Sequence, residues 1–295
     1  MKYDFFDPMD SIRFGWNCLK TNIRFFIVLM IIAAALYALP FLLQITLFGL
    51  SGISSGPSLL FLAILMPVVS ILIYLMVDLG LLKISLGFRD NKNPVTEDLF
   101  RGYPLLLRYL AASIVFFMII FAPPFLLSLG GAFFIGESSL GLIISVVLLI
   151  LILVAVIFLF LKYQFYGYLI VDKNLGAIEA LKKSDELTRG AEKNLLVFWL
   201  ELYCGFAVIL LFFVILIMAP LSILAGLVSE ELLVFFSMAM NLVVTMINLI
   251  IVVPIIKLAT ADVYRRLDER SAGATAQDLP DMQAVAGEVG AAEGG

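Results

Sequence analysis

The chain has 295 residues, 63% of them hydrophobic and only 14% charged, with a mean hydropathy of +1.11. So few charges cannot cover that much apolar surface in water, which excludes an ordinary soluble domain. The net charge of −4 says little about partners, because the charges are so unevenly placed, but no basic stripe marks a nucleic-acid partner. The absence of histidine removes the commonest general base and metal ligand.

All nineteen Lys and Arg residues fall in four zones, 1–24, 83–108, 162–193 and 257–270. The three apolar gaps between these zones are each long enough to cross a bilayer twice. Basic loops stay on the cytoplasmic side of a membrane. The expected fold is an all-α integral membrane protein of six transmembrane helices arranged as three hairpins. Each hairpin is preceded by a cytoplasmic interfacial amphipathic helix, and both termini are cytoplasmic. Unbroken apolar runs without alternation exclude a barrel.

In chain order, residues 1–24 read as the first interfacial helix, with Asp7–Pro8 as its cap. Met9, Ile12, Trp16, Leu19 and Ile23 recur at helical spacing, and Asp10, Arg13, Asn17, Lys20 and Arg24 occupy another face. The transmembrane domain spans 25–258. Its first run is too long for a signal-peptide core, so it reads as a permanent span. Spans are expected near 25–48, 59–82, 106–129, 139–163, 195–225 and 232–257, with cytoplasmic helical segments at 88–104 and 172–193. In the latter, Ala177, Leu181, Ser184, Thr188 and Ala191 make a small face, and Glu179–Lys183 and Asp185–Arg189 stand as i,i+4 pairs. Residues 259–270 end a juxtamembrane helix. The Ala/Gly-rich stretch 271–295, with acidic but no basic residues, is expected to be a disordered acidic tail. Cys18 and Cys204 are too far apart in sequence, and in too reducing a compartment, to be read as a disulfide.

An internal repeat is visible. The decapeptide beginning at Asp90 aligns without gaps on the one beginning at Asp172, and Pro-bearing segments recur around Pro40, Pro123–Pro124 and Pro220. A threefold repeat of interfacial helix, Pro-bearing span, turn and plain span accounts for this order.

Tyr168 to Ser184, followed by Leu187-Thr188-Arg189-Gly190, resembles a signature of bacterial multi-pass proteins in the YciC-like and glycerophosphodiester-phosphodiesterase membrane-domain group. Pro254 with Ala261-Asp262-Val263-Tyr264-Arg265-Arg266-Leu267, and the opening Ser11-Ile12-Arg13-Phe14-Gly15-Trp16, are similar to that group's close and first helix. The resemblance covers most of residues 5–267. It implies a six-helix protein of the bacterial inner membrane and supplies no catalytic residues, since the group has no agreed ones.

Chemistry-bearing candidates are few. No nucleophile–base pair, phosphate-cradling loop or zinc spacing is present, so no catalytic, metal or cofactor residue is assigned and no cofactor is expected. Asp78 and Glu201 are the candidate intramembrane acids, and Lys257 lies at a depth to partner either. Ser237, Asn241, Thr245 and Asn248, at spacings of 4, 4 and 3, share one helical face. That face is expected to point into the bundle, as a polar lining or as helix packing. Pro40, Pro123, Pro124 and Pro220 are candidate kinks that free backbone carbonyls.

The leading functional expectation is a non-enzymatic binding, scaffold or assembly factor. Its partners would be the lipid bilayer and a second membrane protein or a second copy of the chain. The alternative is a permease or channel for a small or amphipathic molecule. A membrane-embedded lipid enzyme, with Asp78 and Glu201 as its acids, ranks below both.

Overall fold

The computed structural model describes residues 5–51, 57–134 and 139–292, with side-chain surroundings for 5–46, 61–125 and 143–273. The described chain is helical, with no strand among the described residues. Six helices are long and apolar enough to cross a membrane, over Ile23–Thr46, Phe61–Arg89, Thr96–Phe125, Ile143–Lys173, Glu192–Val228 and Glu230–Gly273.

The helices are α1 (Pro8–Thr21), α2 (Ile23–Ser51), α3 (Pro57–Arg89), α4 (Leu106–Phe134), α5 (Ser139–Tyr163), α6 (Tyr166–Lys173), α7 (Ala177–Thr188), α8 (Glu192–Phe213), α9 (Ala219–Val228), α10 (Glu230–Ile247) and α11 (Val253–Ala292). Short 3₁₀ turns at Thr96–Leu99 and Tyr103–Leu105 lead into α4. The side chains of α11 beyond Gly273 lie outside the described ones, and the acidic-tail expectation lies there with them.

Buried side chains concentrate where the basic zones lie. Leu79, Ile84, Leu99, Phe165, Leu169, Leu195, Leu258 and Tyr264 are almost wholly enclosed. At the other end of the spans, described residues such as Phe61, Leu227 and Phe235 are largely exposed. A hydrophobic exterior suits a bilayer, where lipid tails take the place of a protein neighbour.

The cap of α1 is built as its sequence requires, with the Asp7 carboxylate accepting from the Met9 N–H at 3.0 Å and Pro8 in the first turn. Apart from Leu19, the side that packs within the protein is not the apolar row. Pro8, Ser11, Gly15 and Leu19 are enclosed and α1 lies against α11, whereas Met9, Trp16 and Ile23 are exposed. Small side chains, not large apolar ones, let these two backbones approach.

In α7 the small face is used for docking. Leu181, Ser184, Thr188 and Ala191 are buried, and the Ser184 hydroxyl donates to the Lys162 carbonyl at 2.8 Å. The expected Glu179–Lys183 pair is replaced. Glu179 instead accepts from the Gly176 N–H at 3.4 Å, and Lys183 pairs with Glu186 at 3.0 Å. Asp185 does meet Arg189, at 3.5 Å, and Lys162 more closely, at 2.8 Å. The Lys162 hydrogen bond holds the Asp185 carboxyl below its ordinary range.

The prolines are handled in two ways. Pro40 and Pro123–Pro124 lie inside continuous helices, as does Pro67, which the sequence reading did not single out. Pro220 and Pro254 each follow a π-helical segment, Val214–Met218 and Asn248–Val252. A wide turn before a proline accommodates the missing N–H without ending the span.

At Gly80 the backbone of the turn before α4 lies close against α3. A Cβ built there would lie 2.2 Å from the Leu99 carbonyl oxygen and 2.6 Å from its Cα. Because the obstacle is backbone, Gly80→Ala should destabilise the purified protein by roughly 1–3 kcal/mol. A thermal unfolding midpoint in detergent equal to wild type would refute this contact.

Candidate functional site

The four basic zones meet through ion pairs and hydrogen bonds. The Ser11 hydroxyl donates to Asp262 at 2.8 Å, and Asp262 also pairs with Arg89 at 2.6 Å and Arg266 at 2.7 Å. Arg265 grips two carboxylates, Asp90 at 2.8 Å and Asp172 at 2.7 Å, using both edges of its guanidinium. Lys173 pairs with Asp268, and the Asn194 side chain donates to the Phe6 carbonyl at 3.1 Å. Burial alone would raise the Asp90 carboxyl, but hydrogen bonds from Arg265 and Lys92 outweigh it and hold that carboxyl below its usual range.

Beneath these contacts, α3, α4, α6 and α11 converge on Asp78. Of the two candidate acids, Asp78 is the one that Lys257 joins, Nζ to Oδ1 at 2.5 Å. The Tyr109 hydroxyl donates to the other carboxylate oxygen at 2.5 Å. Both acceptor atoms of the acid are therefore engaged, which an ionised group removed from water requires. The Tyr168 hydroxyl donates to the Lys257 carbonyl at 2.9 Å and so holds α6 to α11.

Aromatic rings build the surroundings. Tyr109 stacks on Tyr166 with centroids 5.5 Å apart, and Tyr168 on Tyr264, also at 5.5 Å. Gly167 permits the first stack, because a Cβ there would lie 3.0 Å from the Tyr109 ring. Ser113 and the Tyr166 hydroxyl are 3.0 Å apart, and Trp199 donates to Gln164 at 2.6 Å.

These groups line a partly open cavity of about 360 Å³, with Asp78, Lys257, Ser113, Gln164 and Thr260 among its polar points and Tyr109, Tyr166 and Trp199 among its walls. A second cavity, about 200 Å³, opens between α2, α3 and the start of α11. Tyr74, Asp78, Ile256 and Lys257 line both, so the ion pair stands in the partition between them. The first cavity is of a size to hold a small ligand or a length of lipid. Its chemistry suits a molecule with an apolar body and one polar group able to accept from an ammonium or hydroxyl.

The other candidate residues lie elsewhere. Glu201 is half-buried on α8 and lines neither cavity. Pro123 and Pro124 line a separate apolar cavity of about 160 Å³ against α5. Pro40 is buried within α2, and Pro220 is exposed. Ser237, Asn241, Thr245 and Asn248 are all exposed and line neither cavity at the ion pair, so the expectation that this face points into the chain's own bundle is not met. Leu233, Phe236, Met240 and Val244 are half-buried on another side of α10, which packs on α9 with Leu233 beside Gly226. Larger apolar side chains won the intramolecular contact.

The tyrosines around Asp78 were not singled out from sequence. A usable signal existed: a buried phenol needs a partner, and four of the ten tyrosines (Tyr109, Tyr163, Tyr166, Tyr168) sit where apolar runs meet basic zones. Among the described residues no group of His, Cys, Asp and Glu could hold a metal ion. Cys18 is half-buried, and burial pushes its thiol up to about 11, so it is not poised for reactivity. No family model, curated protein or solved structure matches this chain.

Proposed function

We propose that this chain is a non-enzymatic protein of the bacterial inner membrane that binds an amphipathic, lipid-like molecule in the cavity beside Asp78 and Lys257. In this reading the six spans form three hairpins, the four basic zones face the cytoplasm, and α1 and α7 lie at the inner headgroups. The meeting of all four zones supports a common side for them, and the exposed Met9 and Trp16 of α1 suit a bilayer interface. The internal repeat is supported, for two of its three copies, by Asp90 and Asp172. These residues head the aligned decapeptides and share one arginine.

The observation that carries the binding reading is the cavity itself, apolar in its walls and charged at one partition. Delipidated protein should take up one phospholipid per chain in native mass spectrometry from a phosphatidylethanolamine–phosphatidylglycerol mixture. Ser113→Trp, which fills the cavity, should weaken that adduct at least tenfold. Equal uptake by the variant would remove the cavity from the account. A permease is the second reading, favoured by the two cavities that share the Asp78–Lys257 partition. Solute flux in liposomes, sensitive to that pair, separates it from simple binding.

A further inference from the structure

We infer that the polar stripe of α10 seats a second copy of this chain, stripe to stripe, about a twofold axis normal to the bilayer. The inference goes beyond ligand binding and does not depend on the cavity.

Ser237 and Thr245 satisfy themselves within their own helix, donating to the Val234 and Asn241 carbonyls, each at 2.8 Å. Asn241 and Asn248 do not. Their exposed carboxamides make no hydrogen bond among the described residues. At 1.5 Å per residue, Asn241 lies about 16 Å along the helix from Glu230, near the middle of the hydrocarbon. Lipid tails offer no partner to an amide, so an unpaired stripe at this depth calls for a protein neighbour.

The occupant follows from the spacing and the chemistry. Val234, Asn241 and Asn248 recur every seven residues, Ser237 falls three after the first, and all four are exposed. That is a two-helix seam, and asparagine at its central positions fixes register and the number of strands. A carboxamide both donates and accepts, so it complements itself across a twofold axis without a different partner. The seam stays open because α10 turns another side to α9 and leaves Val234, Phe235, Met238 and Leu242 exposed. Small and apolar residues beside a polar pair are the usual makings of a helix interface in lipid.

The test uses full-length protein in liposomes. Single-molecule photobleaching should show two copies per spot at modest protein density. Asn241→Leu with Asn248→Leu should raise the dimer dissociation constant at least tenfold while the circular dichroism spectrum and melting curve stay as in wild type. Should that variant misfold, a Cys18→Ala, Cys204→Ala background carrying Asn241→Cys gives a second readout. Oxidation should crosslink it to dimer, whereas Phe236→Cys, on the half-buried side of α10 away from the stripe, should not crosslink. A wild type that is monomeric at every density, a double variant that dimerises equally, or crosslinking at Phe236→Cys and not at Asn241→Cys would each overturn the inference.

Discussion

Lys257→Met should cost the purified protein about 3–5 kcal/mol of stability, read as a fall in its unfolding midpoint in detergent. The substitution keeps the length and the apolar stem but leaves the Asp78 carboxylate with only the Tyr109 hydroxyl, in a setting where its side chain is 12% exposed. An acid stranded this way has lost the charge that offset its desolvation. Asp78→Asn combined with Lys257→Met should recover most of the loss. The asparagine still accepts from Tyr109, and no net charge remains buried. If the double variant is as unstable as Lys257→Met alone, the pair is not the reason for the loss. If it is stable yet loses the phospholipid adduct, the ion pair serves binding more than folding.

The charge pattern was legible in the sequence because a bilayer allows few ways to place nineteen cations. The Asp78–Lys257 pairing was half legible. Depth along a span can be counted from the basic zones, but which acid meets the lysine depends on helix rotation, and Glu201 stood at a comparable depth. Which faces pack within the protein was not legible, for a shared physical reason. Periodicity marks large apolar or polar side chains, yet α1 meets α11 through Ser11 and Gly15, which carry no such signal. The stripe on α10 was legible as a stripe. Its direction was not, because a polar face in lipid needs a partner without specifying whether the same chain provides it. Tyrosines in an apolar run look like any other large residue until two of them stack over a buried acid.

Arg265→Ala should be comparably damaging, again on the order of 3–5 kcal/mol, and for a related reason: it removes one cation from between two anions. Asp90 and Asp172 both point at a guanidinium whose side chain is only 17% exposed, and each takes two of its N–H groups at 2.7–2.8 Å. Without it, two carboxylates from different basic zones face each other, and α3 and α6 lose their common tie to α11. The Tyr264 hydroxyl, 2.8 Å from Asp172, cannot replace the missing charge. Arg265→Lys separates charge from geometry. An ammonium restores one positive charge but cannot present planar forks to two carboxylates at once, so its loss should fall between wild type and alanine. Full stability in the lysine variant would show that charge alone suffices. Limited proteolysis in the 89–104 and 172–193 segments should rise in parallel with the loss of stability, since those are the zones whose anchoring carboxylates Arg265 holds together.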